Sequence, residues 1–384
     1  MITKKLVIIG ANEFQSRLVE KAKNMGYETH VFAWEEGAAC RNLADKFYPI
    51  SITEKESILK VAKEINPMGV VSVGSDLAVP TVNYIAYELG LVGNSLTSSL
   101  ISTNKYEMRK ALISNRVPCP KFSLANNDFN PRNFNMQYPL IVKPVDRSGS
   151  RGVTKVEDEK ALALAIKYAR ELSFKHQVLV EEFFQGQEYS MEMVSFEGQH
   201  QFLAITEKFT TGAPHFVETM HLQPGRIKAT ILDEAIEIVK QSLDALQIKY
   251  GASHAEFKVN KNEDMVIIEI GARMGGDYIG SDLVQLSTGY DFTRMVINVA
   301  VGKEPGFNAH KQISKAAMIK FIFSPDDVII FDGLQTIHSD KLHKYVQMHG
   351  FCDQAIKDSS QRLGYFIIQC DTREECLELM GLKQ

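Results

Sequence analysis

The hydrophobic pattern divides the chain into regions of different texture. Over residues 1–98, short apolar runs alternate with stretches of helical period. Strands are predicted at 6–9, 28–33, 47–50 and 69–73, and helices at 13–25, 37–45, 54–65 and 77–89. Strands alternating with helices build a doubly wound parallel sheet, which takes ligands at the carboxyl ends of its strands. From residue 101 the texture changes. The helical stretch STNKYEMRKALISN carries Lys105 near its start, and an Asn- and Pro-rich loop follows at 126–135. A strand at 140–145 leads into the loop Asp146-Arg147-Ser148-Gly149-Ser150-Arg151-Gly152. An amphipathic helix at 158–172 precedes QVLVEEFFQGQEYSMEMVSF, which reads as two strands around a bend at 184–187. A strand at 202–208, a loop at 211–214 and a long helix at 229–246 come next. Beyond a hairpin at 253–270, helices are expected at 281–287 and 291–301. From about residue 308 a small β-rich end contains KAAMIKFIF, a turn at SPDD, VIIF, LGYFIIQC and a final helix.

The hairpin in HAEFKVNKNEDMVIIEIGARMGGD has a register that its alternation sets. A four-residue turn at 261–264 puts Asn260 opposite Met265, Val259 opposite Val266, Phe257 opposite Ile268 and Ala255 opposite Ile270. The face that carries Val259, Phe257 and Ala255 with their partners is apolar and belongs on a core. The other face brings Glu256 opposite Glu269, with Cβ atoms about 5 Å apart. The pattern leaves two readings open: both carboxylates stand in water, or they bracket a hard divalent cation such as Mg²⁺, which takes carboxylate and phosphate oxygens. Arg273 and then Gly275-Gly276 follow, where the backbone lets a ligand approach closely.

Lys143 is a lone cation in a largely apolar strand and needs an anionic partner. The loop after it is rich in donors and suits a phosphate, with a plain hairpin turn as the alternative; it lacks the Walker A pattern. Glu181, Glu182 and Glu188 beside Phe183 and Phe184 suit an adenosine, whose base edge would meet backbone and whose ribose would meet a carboxylate; a charged hairpin edge is the alternative. Asp76 is either a contact at the mouth of the parallel sheet or a helix cap. The turn IIGANEF has one glycine, so despite Glu35 the dinucleotide fingerprint is absent. His215, Glu218 and His221 are spaced by three without an HExxH pattern or a nearby cysteine, so no zinc site is expected.

Composition narrows the classes. With 384 residues, 45% apolar and 23% charged, the chain is long enough for two or three domains and too apolar for disorder. A net charge of −4 and a pI near 6.2 give no bulk attraction to nucleic acid or anionic lipid. The odd set Cys40, Cys119, Cys352, Cys370 and Cys376 has no CxxC pair and reads as reduced thiols in a cytoplasmic protein. The apolar start at 6–9 is too short for a signal sequence, and no run suits a membrane span.

Lys105, Lys143 with its glycine loop, the 181–188 stretch and the Glu256/Glu269 hairpin, in that order, resemble the ATP-grasp family. GASHAEFK, EIGARMGGD and APHFVETMHLQPG are similar to its carbamoyl-phosphate-synthase-like and L-amino acid ligase branch. The resemblance implies an ATP-grasp fold of mixed α/β and α+β class. It implies an amino-terminal doubly wound parallel α/β domain at 1–98, a core at 99–305 with a lid at about 115–185, and a small carboxyl-terminal α+β domain at 306–384. It further implies ATP and Mg²⁺ (or Mn²⁺) as cofactors and an ADP-forming ligation of a small-molecule carboxylate to an amine, with amino acids as the expected substrates.

By the resemblance Lys105 and Lys143 hold the α- and β-phosphates, and Ser148, Gly149, Ser150 and Gly152 belong to the loop over the β- and γ-phosphates. Glu181, with the backbone of Glu182 and Phe184, meets adenine, and Glu188 meets the ribose. Glu256 and Glu269 hold metal, and Arg273 stabilises the acyl phosphate and the tetrahedral intermediate. His215, Glu218, His254, Gly275 and Gly276 are candidate substrate contacts. Gly271 stands where many members carry a metal-binding Asn. His254, opposite it, either fills that gap or is a neutral histidine bonded to substrate. A carboxylase- or formate-activating enzyme and a nucleotide sensor without chemistry remain alternatives. Similar enzymes are commonly homodimers, so a homodimer stays open.

Overall fold

The computed structural model describes residues 3–125, 129–307, 313–347 and 357–382. Part of the loop expected at 126–135, the start of the β-rich end near 308, and Cys352 lie outside the described residues.

Strands β1 (Lys5–Ile9), β2 (Glu28–Phe32), β3 (Lys46–Tyr48) and β4 (Gly69–Val71) form a parallel sheet in the order β3-β2-β1-β4. Along β1, Leu6 and Ile8 face one side and Val7 and Ile9 the other, and all four are buried. The first pair packs among residues of helices Glu13–Asn24 and Phe292–Ala300, the second among those of Lys55–Ile65 and Val79–Leu89. A sheet covered on both faces explains why the strand is apolar throughout. The helix expected at 37–45 does not form, and residues 36–45 run as turns. Gly37 has a φ of +72°, the Cys40 amide donates to the Ala11 carbonyl, and Asp45 accepts from the Thr29 amide, so local backbone groups find partners outside a helix.

Strands β5 (Phe122–Ala125), β6 (Leu140–Pro144), β7 (Thr154–Val156) and β8 (Val178–Glu182) form an antiparallel sheet in the order β5-β8-β6-β7, packed on helix Glu159–Leu172. The remaining strands are β9 (Gln187–Phe196), β10 (Gln199–Thr210), β11 (Glu218–Gln223), β12 (Gly251–Val259), β13 (Met265–Gly271), β14 (Ala316–Ile322), β15 (Leu342–Gln347) and β16 (Gly364–Cys370). They make one eight-stranded antiparallel sheet in the order β13-β12-β9-β10-β11-β14-β16-β15. The bend at 184–187 therefore carries the chain from one sheet to the other. β11 is not apparent in the sequence pattern, because ETMHLQ is short and half polar; pairing with β10 and β14 buries its Met220 and Leu222. SPDD and VIIF, expected as turn and β structure, instead begin helix Pro325–Ile337, where Ser324 and Asp327 cap each other's backbone.

Two local features set up the cleft. Asn104 breaks the expected long helix. Its side-chain oxygen accepts from the Tyr106 and Glu107 amides and caps helix Lys105–Ser114, so Lys105 is the first helical residue. In the hairpin, His254, Ala255 and Glu256 face Gly271, Ile270 and Glu269 as expected, but a bulge between Glu256 and Phe257 shifts the rest by one. Phe257 faces Ile267 and Val259 faces Met265. The turn is one residue longer than expected, since Asn260 N–H donates to the Asp264 carbonyl and the Asn260 side chain accepts from the amides of Asn262 and Asp264. The bulge sends Ile267 into the core and leaves Ile268 on the cleft wall.

Candidate active site

A cleft lies between the β5-β8-β6-β7 sheet and the β13-β12-β9 side of the large sheet. Ile141, Phe183, Phe216 and Ile268 give it an apolar end, with the Phe183 and Phe216 rings stacked 5.8 Å apart. Lys258 faces both rings at 5.3 Å and lies 3.4 Å from Glu188. A flat ligand ring and a neighbouring hydroxyl-bearing group suit that end. The other end is ionic.

There, Lys105 Nζ donates to Glu269 Oε1 at 2.6 Å and to the Arg147 carbonyl at 2.7 Å, which ties the first helical turn to both β13 and the glycine loop. Lys143 Nζ lies 2.5 Å from Glu181, whose other oxygen accepts from Arg109 Nε at 2.6 Å. Burial would raise the Glu181 carboxyl, but Arg109 and Lys143 hold it below its ordinary value. Glu181 thus acts through its side chain to place Lys143. Arg109 is fully buried and also donates to the Ile268 carbonyl at 2.5 Å.

Glu256 and Glu269 face each other across β12 and β13 as expected. Among the described residues, no group of three or more His, Cys, Asp or Glu is placed to enclose a metal ion. Two facing carboxylates at the edge of an open cleft nonetheless fit a hard cation that completes its shell with substrate phosphates. Burial would raise the Glu256 carboxyl, yet Lys208 and then His254 hold it well below the usual carboxylate range. Lys208 is itself buried, and three carboxylates keep its ammonium well above lysine's ordinary value against the effect of burial.

His254 faces Gly271 across the hairpin and stands between two carboxylates. Its Nδ1 faces Glu192, its Nε2 lies 3.2 Å from Glu256, and although burial lowers its pKa, Glu192 pushes it up to about 9. Each ring nitrogen thus faces a carboxylate. A side chain at 271 would meet the Arg273 guanidinium and Asp76 at 3.0 Å, which accounts for the glycine. Arg273 donates from Nε and Nη2 to the two Asp76 oxygens at 2.9 and 2.8 Å. Asp76 is therefore a partner at the mouth of the parallel sheet, and it holds Arg273 charged despite burial.

Of the residues expected from sequence, Lys105, Lys143, Ser148, Gly149, Ser150, Glu181, Glu182, Phe184, Glu188, Glu218, His254, Glu256, Glu269 and Arg273 line the cleft. Gly152, His215, Gly275 and Gly276 stand outside that lining. A Cβ at Gly152 would press on Pro144 and Leu172. His215 Nδ1 lies 3.3 Å from the Val153 carbonyl, against the glycine loop. Gly275 donates its N–H to Glu192 at 3.0 Å, and a side chain there would strike both Glu192 and His254. Gly276 packs against Gly74 of the parallel-sheet domain. The sequence pattern gave no sign of Lys208, Arg109, Glu192 or Lys258, whose partners lie far along the chain.

Residues 136–282 match the ATP-grasp domain family. The chain is 25% identical over 264 residues to the carbamoyl phosphate synthase large chain of Caldanaerobacter subterraneus, covering 67% of this chain and 24% of that protein. It is 25% identical over 271 residues to alanine–anticapsin ligase of Bacillus subtilis, covering 62% of this chain and 57% of that enzyme. The chain thus spans about a quarter and about half of the length of these two relatives. An L-amino acid ligase structure from Bacillus licheniformis superposes with a TM-score of 0.82 over 99% of this chain and 96% of that one, at 23% identity. Among the described residues no helix is long and apolar enough to cross a membrane. The architecture is the ATP-grasp fold, and its residues 136–282 are similar to the ATP-grasp domain family.

Proposed function

We propose that the protein is an ADP-forming, ATP-dependent carboxylate–amine ligase that acts on small molecules, amino acids in particular. The observation that carries this reading is the gathering of Lys105, Lys143, Glu256, Glu269 and Arg273 in one cleft, three cations and two facing carboxylates from four separate elements and the loop after β13. In this reading residues 1–98 are an amino-terminal domain, 99–305 the ATP-grasp core with its lid at about 115–185, and 306–384 a small carboxyl-terminal domain. The similarity to alanine–anticapsin ligase and to the L-amino acid ligase fold supports amino acids as substrates.

Phe183, Phe216, Ile141 and Ile268 would receive the adenine, with Glu188 on the ribose. Lys143 and Lys105 would meet the phosphates under the Ser148–Gly152 loop. Glu256 and Glu269 would hold Mg²⁺, which when bound offsets phosphate charge and orients the γ-phosphoryl group. A substrate carboxylate attacks that group, the bond to ADP breaks, and the acyl phosphate forms beside Arg273. An amine then adds to the activated carbonyl, the Arg273 guanidinium stabilises the oxyanion, and the adduct collapses to the amide as inorganic phosphate leaves and the amine gives up its proton. A closed glycine loop keeps water from the acyl phosphate.

The test is ADP and phosphate release across a panel of single and paired amino acids, with bicarbonate and formate as separate arms. Release only with amino acids is expected; release with bicarbonate or formate alone would replace the reading with a carboxylase-like or formate-activating one. Release with no substrate in the panel, despite nucleotide binding, would favour a sensor. Lys143→Ala should weaken a non-hydrolysable ATP analogue in calorimetric titration more than it weakens amino-acid binding, because a point charge on phosphate is lost. Unchanged analogue affinity would remove Lys143 from the nucleotide site.

A further inference from the structure

The chemistry above gives Lys208 no task, yet its surroundings are specific. Its Nζ lies 2.6 Å from Glu256 Oε1, 3.3 Å from Glu188 Oε1 and 3.5 Å from Glu218 Oε1. These carboxylates come from β12, β9 and β11, and β9 and β11 flank β10, which carries Lys208. In the proposed mechanism the first carboxylate belongs to the metal and the second to the ribose, and the third is a candidate substrate contact that lines the same cleft. One buried ammonium touches all three.

A second observation shows what the contact with Glu256 does. Lys105 stands on Glu269 as Lys208 stands on Glu256, with the same 2.6 Å distance. Each facing carboxylate already has an ammonium on one of its oxygens. A dication beside Glu256 must either share that carboxylate with a positive charge or displace it, and both are unfavourable at such separations. Lys105 has the phosphates to turn to. Lys208 is buried and, among the described residues, has besides Glu256 only Glu188 and Glu218.

We infer that Lys208 is a positioning residue that couples the metal, ribose and substrate carboxylates. It keeps Glu256 occupied in the nucleotide-free protein and passes its charge to Glu188 and Glu218 when metal arrives with the phosphates. This rests on Glu256 being a metal ligand. The consequence has two opposite signs. Removing Lys208 frees Glu256 for a bare cation, so metal binds more tightly without nucleotide. Turnover slows, because three carboxylates lose their common anchor. A merely structural lysine would weaken both together.

The experiment uses the full chain and Mn²⁺ alone as the probe, with affinity read by the loss of the free-ion electron paramagnetic resonance signal. Lys208→Met and Lys208→Gln should each bind Mn²⁺ at least about tenfold more tightly than wild type, because one unit of repulsion is removed. Their kcat should fall by at least about tenfold, while Lys208→Arg should keep the weak Mn²⁺ affinity and part of kcat. Adding Glu256→Gln to Lys208→Met should abolish the tightening. Mn²⁺ affinity equal to or weaker than wild type in either folded variant would overturn the inference. If Glu256→Gln alone leaves Mn²⁺ binding with an ATP analogue intact, the metal assignment fails instead, and that outcome is visible without Lys208 variants.

Discussion

Glu256→Gln and Glu269→Gln should each lower Mg²⁺-dependent turnover by roughly 10²–10⁴-fold, because a metal that offsets phosphate charge contributes several kcal/mol and each tenfold in rate is about 1.4 kcal/mol. Steady-state ADP release with the best substrate pair measures the loss. The folded protein should survive both changes. In Glu269→Gln, Lys105 keeps the Arg147 carbonyl. In Glu256→Gln, Lys208 keeps Glu188 and Glu218 but loses its shortest partner. Two facing glutamates alone would predict that removing one charge stabilises the metal-free protein by a few tenths of a kcal/mol or more. The structure reverses that expectation for Glu256, since Lys208 already offsets the repulsion. Losing a charged hydrogen bond from a buried lysine should instead cost about 1–3 kcal/mol, read by urea unfolding. Near-normal turnover in either variant would take the metal away from this pair.

Arg273→Ala should lose about 10²–10³-fold in kcat, the size of removing one oxyanion donor, with much less effect on binding of an ATP analogue. The reason lies in the geometry. Asp76 grips Nε and Nη2, the Met274 carbonyl accepts from Nη1 at 3.2 Å, and Arg273 so held lines the cleft. The alanine variant also leaves the half-buried Asp76 without its ion-pair partner, so stability must be checked beside rate. Asp76→Asn separates the two effects. It keeps the volume and weakens the grip, so kcat should fall by a smaller factor while the nucleotide still binds. An Arg273→Ala enzyme with normal kcat would place the oxyanion elsewhere.

The part of the site legible in the sequence is the part made by neighbours in sequence. Alternation places Glu256 opposite Glu269, and Lys143 announces itself as a cation in an apolar strand. The same alternation fails at the turn end of the hairpin, because a bulge and a longer turn each shift the count by one and cancel only at the metal end. Expecting Ile268 in the core follows from that. The ionic framework is hidden for a different reason. Lys208 meets Glu256 across 48 positions and Arg109 meets Glu181 across 72, and no local pattern encodes such meetings. Asp76 lies between these cases: the rule that parallel sheets bind at their carboxyl ends points to it, but its partner Arg273 is 197 positions away. The parallel sheet was readable because its strands are apolar throughout. The helix at 37–45 was misread because Gly37 and the Cys40 amide commit that stretch to turns.

The central claim is that a carboxylate is activated as an acyl phosphate in the cleft between the two sheets. Hydroxylamine tests it most directly. Supplied in place of the amine, together with ATP, Mg²⁺ and the carboxylate found in the substrate panel, it should trap the intermediate as a hydroxamate, with one ADP formed for each. Hydroxamate accompanied by AMP and pyrophosphate would mean adenylation and would contradict the account.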